Sequence, residues 1–86
     1  MAYVYLLSSL KEKWVYVGST TDIEKRLSQH NSGQVFSTQH RRPYKLIYSE
    51  QYDTLQEARV REKQIKAVRK IKEELVRKHQ ALSSIG

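Results

Sequence analysis

Three kinds of side chain able to move protons, hold phosphate or bind a hard cation recur in this sequence at spacings that would bring them onto shared faces. They are Tyr5 with Tyr16, Arg26 with His30, and Glu62. Six tyrosines stand against one phenylalanine, a lopsided ratio for a core that needs no hydroxyls. Tyrosine is also a good strand former with an apolar body, so the ratio alone does not decide between packing and chemistry. A tyrosine acts as a general base only when nearby positive charge lowers its pKa, since otherwise about 0.1% is ionised at pH 7. Arg26 and His30 lie one helical turn apart on the face that carries Ile23 and Leu27. A guanidinium there suits a phosphate and an imidazole there could move a proton, whereas a surface arginine and a histidine near a helix C-terminus is the plainer account. Glu62 falls within the apolar stripe of Leu55, Ala58 and Ile65. A carboxylate facing a core needs a cation, a hydrogen-bond network or a metal, unless it turns outward to pair with Lys66 at i, i+4.

The elements that must position these groups follow from local pattern. Tyr3 to Leu7 and Trp14 to Val17 are short aromatic and aliphatic runs separated by six polar-biased residues, which predicts a β-hairpin whose second strand ends at Gly18. Thr21 followed by Glu24 matches a capping box, so a helix is expected from there, stopped by Asn31, Ser32 and Gly33. Gln34 to Arg42 has no sustained periodicity and carries His40, Arg41 and Arg42, the marks of a basic surface loop. A third strand is expected from Tyr44 to Tyr52, and Thr54 with Glu57 repeats the capping signal before a second helix. The order β-β-α-β-α, with a basic helical extension from about residue 69, defines an α+β class on one domain of residues 1 to 86.

Val4-Tyr5, followed by Tyr16-Val17-Gly18, resembles the paired tripeptides of the GIY-YIG nucleases. Thr21 to Leu27 with His30 resembles that family's arginine-bearing helix, and Glu57-Ala58 through Arg61-Glu62-Lys63-Gln64-Ile65-Lys66 its glutamate-bearing helix. His30-Asn31-Ser32-Gly33 and Arg41-Arg42-Pro43-Tyr44-Lys45-Leu46 are similar to the small stand-alone bacterial branch. The likeness covers roughly residues 3 to 70, and it is the ordered conjunction that is specific. Two departures are evident: Tyr3 replaces the leading glycine, and Val4 and Val17 replace the central isoleucines. The resemblance implies a small three-stranded antiparallel sheet flanked by helices. It also implies a catalytic set of Tyr5, Tyr16, Arg26, His30 and Glu62, with Glu62 the ligand of one divalent cation, Mg²⁺ or Mn²⁺. The activity so implied is metal-dependent endonucleolytic hydrolysis, with DNA preferred over RNA as substrate and roles in repair, recombination or processing.

Charge supports a polyanionic partner. Sixteen Lys and Arg against nine Asp and Glu give +7, and residues 59 to 79 hold nine Lys or Arg against three Glu. Arg61, Lys63, Lys66, Arg69 and Lys70 are therefore expected to meet phosphates, and Gln39, His40, Arg41 and Arg42 of the loop to touch bases or a distorted junction. An accessory protein could add to that binding. The absence of cysteine excludes disulfides, thiolate zinc sites and cysteine nucleophiles. With no run of about 18 apolar residues and no basic n-region, neither a membrane nor export is expected, and the cytoplasm is the expected compartment. Two alternatives use the same features: an inactive nucleic-acid-binding module on this fold, or an interaction module whose terminal helix docks a partner through Ile71 and Leu75.

Overall fold

The central strand is apolar on both sides, and the rest of the fold follows from covering it. In this computed structural model, which describes the backbone of residues 1 to 85 and side-chain surroundings to residue 79, β1 spans Ala2–Ser9 and β2 spans Val15–Thr20. They are followed by α1 (Ile23–Asn31), a 3₁₀ turn (Gln39–Arg41), β3 (Tyr44–Tyr52), α2 (Leu55–Ala67) and α3 (Arg69–Ile85). The sheet is antiparallel throughout, in the order β2-β1-β3, and the whole is α+β. Because successive strand residues point to opposite faces, β1 divides its side chains between two cores. Ala2, Val4 and Leu6 join Val15, Val17, Ala58 and Ile65, with Ile71, Leu75 and Val76 of α3 packed against them. Tyr5 and Leu7 join Tyr44, with Trp14, Tyr16, Ile23 and Leu27 of the hairpin and α1 around them. Thus α1 covers one face while α2 and α3 cover the other.

Three expectations change. β2 does not end at Gly18 but continues to Thr20, since Gly18 is a ladder residue opposite Tyr5. A Cβ at Gly18 would lie 2.5 Å from the Tyr5 hydroxyl and 2.7 Å from its Cζ, so glycine here admits the phenol rather than breaking the strand. The first helix is capped by Asp22, not Thr21: the Asp22 carboxylate accepts from the Lys25 amide at 3.1 Å, and the Asp22 amide donates to Thr20 Oγ1 at 3.1 Å. The pairing of Ile71 and Leu75 serves the protein's own core, which removes the feature that suggested a partner-docking helix. The second capping box forms as expected, with Thr54 and Glu57 satisfying each other's amides.

α1 ends where expected, at Ser32 followed by Gly33 with φ 84°, and a side chain at Gly33 would collide with the Arg42 guanidinium. The Asn31 side chain then ties α1 to β3, accepting from the Tyr44 amide at 2.6 Å and donating to its carbonyl at 3.1 Å. That clamp sets the position of His30 over the sheet. Among the described residues, no helix is long and apolar enough to cross a membrane.

Candidate functional site

Tyr5 points from the middle of β1 onto the α1 face, and the missing side chain at Gly18 leaves room for its ring on that surface. Its hydroxyl lies 3.0 Å from His30 Nε2, and His30 Nδ1 lies 2.8 Å from Thr38 Oγ1. The Thr38 hydroxyl has one proton, which it gives to the Val35 carbonyl at 3.3 Å. It therefore accepts from Nδ1–H, which leaves Nε2 as the acceptor of the Tyr5 proton. The result is a directed chain, Tyr5 to His30 to Thr38 to the Val35 backbone. Both His30 and Thr38 are fully buried. Tyr44 closes the chain from below, donating from its hydroxyl to the Thr38 carbonyl at 2.8 Å.

The electrostatics fix where the protons rest. Burial, helped by the Arg26 charge, pushes the His30 imidazole down to about 4, so it is neutral near pH 7. Burial raises the Tyr5 phenol to about 12; hydrogen bonding and charge from Arg26 pull it down, while Tyr16 and Glu62 push it further up. In the protein by itself Tyr5 is therefore protonated, contrary to the lowered value that a general base was expected to need. Desolvation outweighs Arg26 until further positive charge arrives.

Tyr16 lies beside this chain, its ring centroid 4.9 Å from that of His30 and 6.1 Å from that of Tyr5. Arg26, half-buried on α1, donates to Gln29 Oε1 at 3.0 Å and lines a polar cleft of ≈ 450 Å³ with Ser19, Thr20 and Lys25. Glu62 approaches from α2, on the other side of edge strand β2. One of its oxygens accepts from Ser19 Oγ at 2.5 Å and the other from Lys66 Nζ at 2.5 Å. Lys66 also lies 5.8 Å from the centre of the Tyr16 ring. Both accounts of Glu62 hold in part: it makes the i, i+4 pair, yet its side chain is only 19% exposed and also hydrogen-bonds the sheet.

The five residues expected to do chemistry are thus gathered around one end of β2, whereas the expected nucleic-acid contacts are scattered. Lys66 and Arg69 border a cleft next to the site, and Lys63 and Lys70 are exposed on their helices. Arg61 stands apart, its guanidinium bound to the Glu50 carboxylate at 2.9 and 3.2 Å, where Tyr48 and Tyr52 also donate. In the loop, Arg41 pairs with Glu12 at 2.5 Å and lies 4.5 Å over the Trp14 ring. His40 is exposed, Gln39 is half-buried in the 3₁₀ turn, and the Arg42 guanidinium lies against Gly33. Two site residues were not anticipated. Ser19 was legible, because alternation carried past Gly18 puts it on the face of Val15 and Val17. Thr38 had no sequence signal.

A hard cation fits the donor chemistry here: a half-buried carboxylate, Glu62, with hydroxyl oxygens of Ser19 and the tyrosines nearby. Among the described residues no group of three or more His, Asp or Glu could hold a metal, so Glu62 would share the cation with water and substrate oxygens, as Mg²⁺ often permits.

A three-stranded antiparallel sheet with a tyrosine-histidine pair on one face and a glutamate reaching the same edge from the other defines a compact catalytic-domain class. Residues 1–74 match the model described as the GIY-YIG catalytic domain. The chain belongs to the GIY-YIG family. It is 47% identical over 66 residues to a UPF0213 protein of Syntrophus aciditrophicus, covering 74% of this chain and 75% of that one. A UPF0213 protein of Staphylococcus saprophyticus is 45% identical over 65 residues, covering 74% and 78%. The solution NMR structure of the UPF0213 protein from Bacillus halodurans matches with a TM-score of 0.54 and 35% identity, covering 88% of this chain and 83% of that one.

Proposed function

We propose that this protein is a divalent-metal-dependent endonuclease that hydrolyses phosphodiester bonds, with DNA preferred over RNA, using Tyr5, Tyr16, Arg26, His30 and Glu62. The observation that carries the reading is the directed hydrogen-bond chain from Tyr5 through His30 to Thr38, set beside Arg26 and Glu62. Tyr5 is the better base of the two tyrosines because it alone has a built proton acceptor. As Tyr5 Oη takes a proton from the attacking water, it passes its own to His30 Nε2, and Nδ1–H stays on Thr38. The imidazolium so formed is disfavoured by burial and by Arg26, and the negative charge growing on the phosphate offsets this. Arg26 donates to a nonbridging oxygen, where charge-assisted hydrogen bonds contribute most as charge develops. Tyr16 packs against the His30 ring and orders the water side of the site. A cation held by Glu62 would supply charge neutralisation at the phosphate and leaving oxygen.

The decisive experiment incubates the purified protein with single-stranded, duplex, flapped and branched DNA and RNA, with Mg²⁺, Mn²⁺ or EDTA. Metal-dependent strand cleavage is expected, lost in Glu62→Gln; cleavage that survives EDTA or that substitution would refute the site. One observation favours a second reading: Lys66 and Ser19 engage both Glu62 oxygens, as they would in an inactive nucleic-acid-binding module. Binding without cleavage across the whole panel would select that module.

A further inference from the structure

Glu62 is held by one lining residue from each of two clefts. Ser19 belongs to the polar cleft beside Arg26, and Lys66 to a larger groove of ≈ 690 Å³ on the other side. The groove runs between the hairpin, which contributes Lys13 and Trp14, and the α2–α3 side, which contributes Lys66, Arg69, Lys72 and Arg77. Its charge is poorly balanced. Arg69 pairs with Glu73 at 2.9 Å, but Lys13, Lys72 and Arg77 have no acidic partner among the described residues. Burial and the neighbouring Lys66 charge push the Lys72 ammonium below its ordinary value, the mark of a cation held in place without an anion.

We propose that this groove is the track for the nucleic-acid strand on one side of the cleaved phosphate, with Lys13, Lys72 and Arg77 contacting successive phosphates and Lys66 joining the track to the reaction centre. The proposal rests on the nuclease reading for what passes over Glu62. Nucleic acid is favoured over an acidic protein because the groove is continuous, through Lys66, with a site built for a phosphodiester. Contacts to phosphate confer affinity without sequence preference. They also give Lys66 an alternative partner, so an occupied groove would draw its ammonium off the Glu62 carboxylate.

Trp14 is the chain's single tryptophan and lines the groove, so its fluorescence reports occupancy directly. A single-stranded DNA oligonucleotide is titrated in EDTA, following Trp14 emission and the anisotropy of a dye on the DNA. The proteins compared are the wild type, Lys72→Gln/Arg77→Gln, Lys13→Gln and a control, Arg59→Gln/Lys78→Gln. The control removes the same charge from exposed helix positions that line neither cleft. The groove double variant should bind about tenfold or more weakly, with a log-log salt slope shallower by about 1.4 to 1.8, as two lost contacts require. Lys13→Gln should weaken binding by a smaller factor, and Arg59→Gln/Lys78→Gln should stay within about twofold of wild type. In cleavage with Mg²⁺ the groove variants should raise KM and leave kcat within about twofold. Equal affinity of the groove and control variants, or binding that leaves Trp14 emission unchanged, would overturn the groove while leaving the nuclease reading intact. Polyglutamate of matched charge displacing the DNA equally well would also overturn it, in favour of an acidic protein partner. A wild type that binds no nucleic acid at all would sink both.

Discussion

At the scale of the residue, His30 controls a proton that can be followed without any substrate. Its value in the folded protein, about 4, lies below the ordinary 6.5, so the unfolded chain binds the proton first as pH falls. Its contribution to stability is therefore complete above pH 6.5 and is lost progressively down to about 4, amounting to roughly 3 kcal/mol. Denaturant titrations at several pH values should show that decline beginning above pH 5, before carboxylates protonate. Flat stability from pH 7 to 5 would mean that His30 is not buried neutral. Tyr5→Phe removes the donor to Nε2 and leaves a buried acceptor unmet, at a cost of about 1 to 3 kcal/mol. Its cleavage should fall much further than that loss of stability explains. Glu62→Gln should behave oppositely: the exposed half of its pair with Lys66 is worth about 0.3 to 0.5 kcal/mol, so the thermal midpoint should barely move while turnover drops by orders of magnitude.

At the scale of the element, the edge strand β2 is shaped by the side chain that crosses it. Gly18→Ala would place a methyl 2.5 Å from the Tyr5 hydroxyl, and overpacking of that kind costs about 1 to 3 kcal/mol. The phenol must shift, so the hydrogen bond to His30 should lengthen and cleavage should fall with stability. Thr54→Ala offers the contrast. Loss of that cap should cost about 1 kcal/mol by thermal or chemical melting and leave turnover per folded molecule unchanged, because α2 still presents Glu62 from its middle. A Thr54→Ala variant with impaired kcat would show that α2 fraying reaches the site.

At the scale of the whole molecule, the sheet separates two kinds of work. The α1 face buries the proton chain, while α2 and α3 place the carboxylate and most of the basic side chains along the β2 edge. Binding to nucleic acid should consequently be electrostatic, with affinity falling steeply as salt rises. A log-log slope near zero, measured on uncleaved DNA in EDTA, would remove the basic surface from the binding account. Arg61 should contribute least to that slope among the basic residues of α2, since Glu50 already neutralises it.

Local pattern was enough to specify most of the elements: alternating aromatic and aliphatic residues for the strands, Thr54 and Glu57 for the second cap, and Asn31 to Gly33 for the end of α1. These signals are short-range, so they are written within a few residues of the feature they produce. The inward placing of Arg26, His30 and Glu62 was legible for the same reason, as helical periodicity assigns a face. What periodicity cannot assign is a partner across the fold. The reach of Thr38 to His30, of Ser19 to Glu62 and of Glu50 to Arg61 depends on how the helices lie on the sheet. The same holds for Gly18, which reads locally as a strand end and becomes a strand interior only because the Tyr5 ring needs its space. Burial, too, is a property of the packed whole, and it was burial that raised Tyr5 and lowered His30, reversing the protonation expected of a tyrosine beside an arginine.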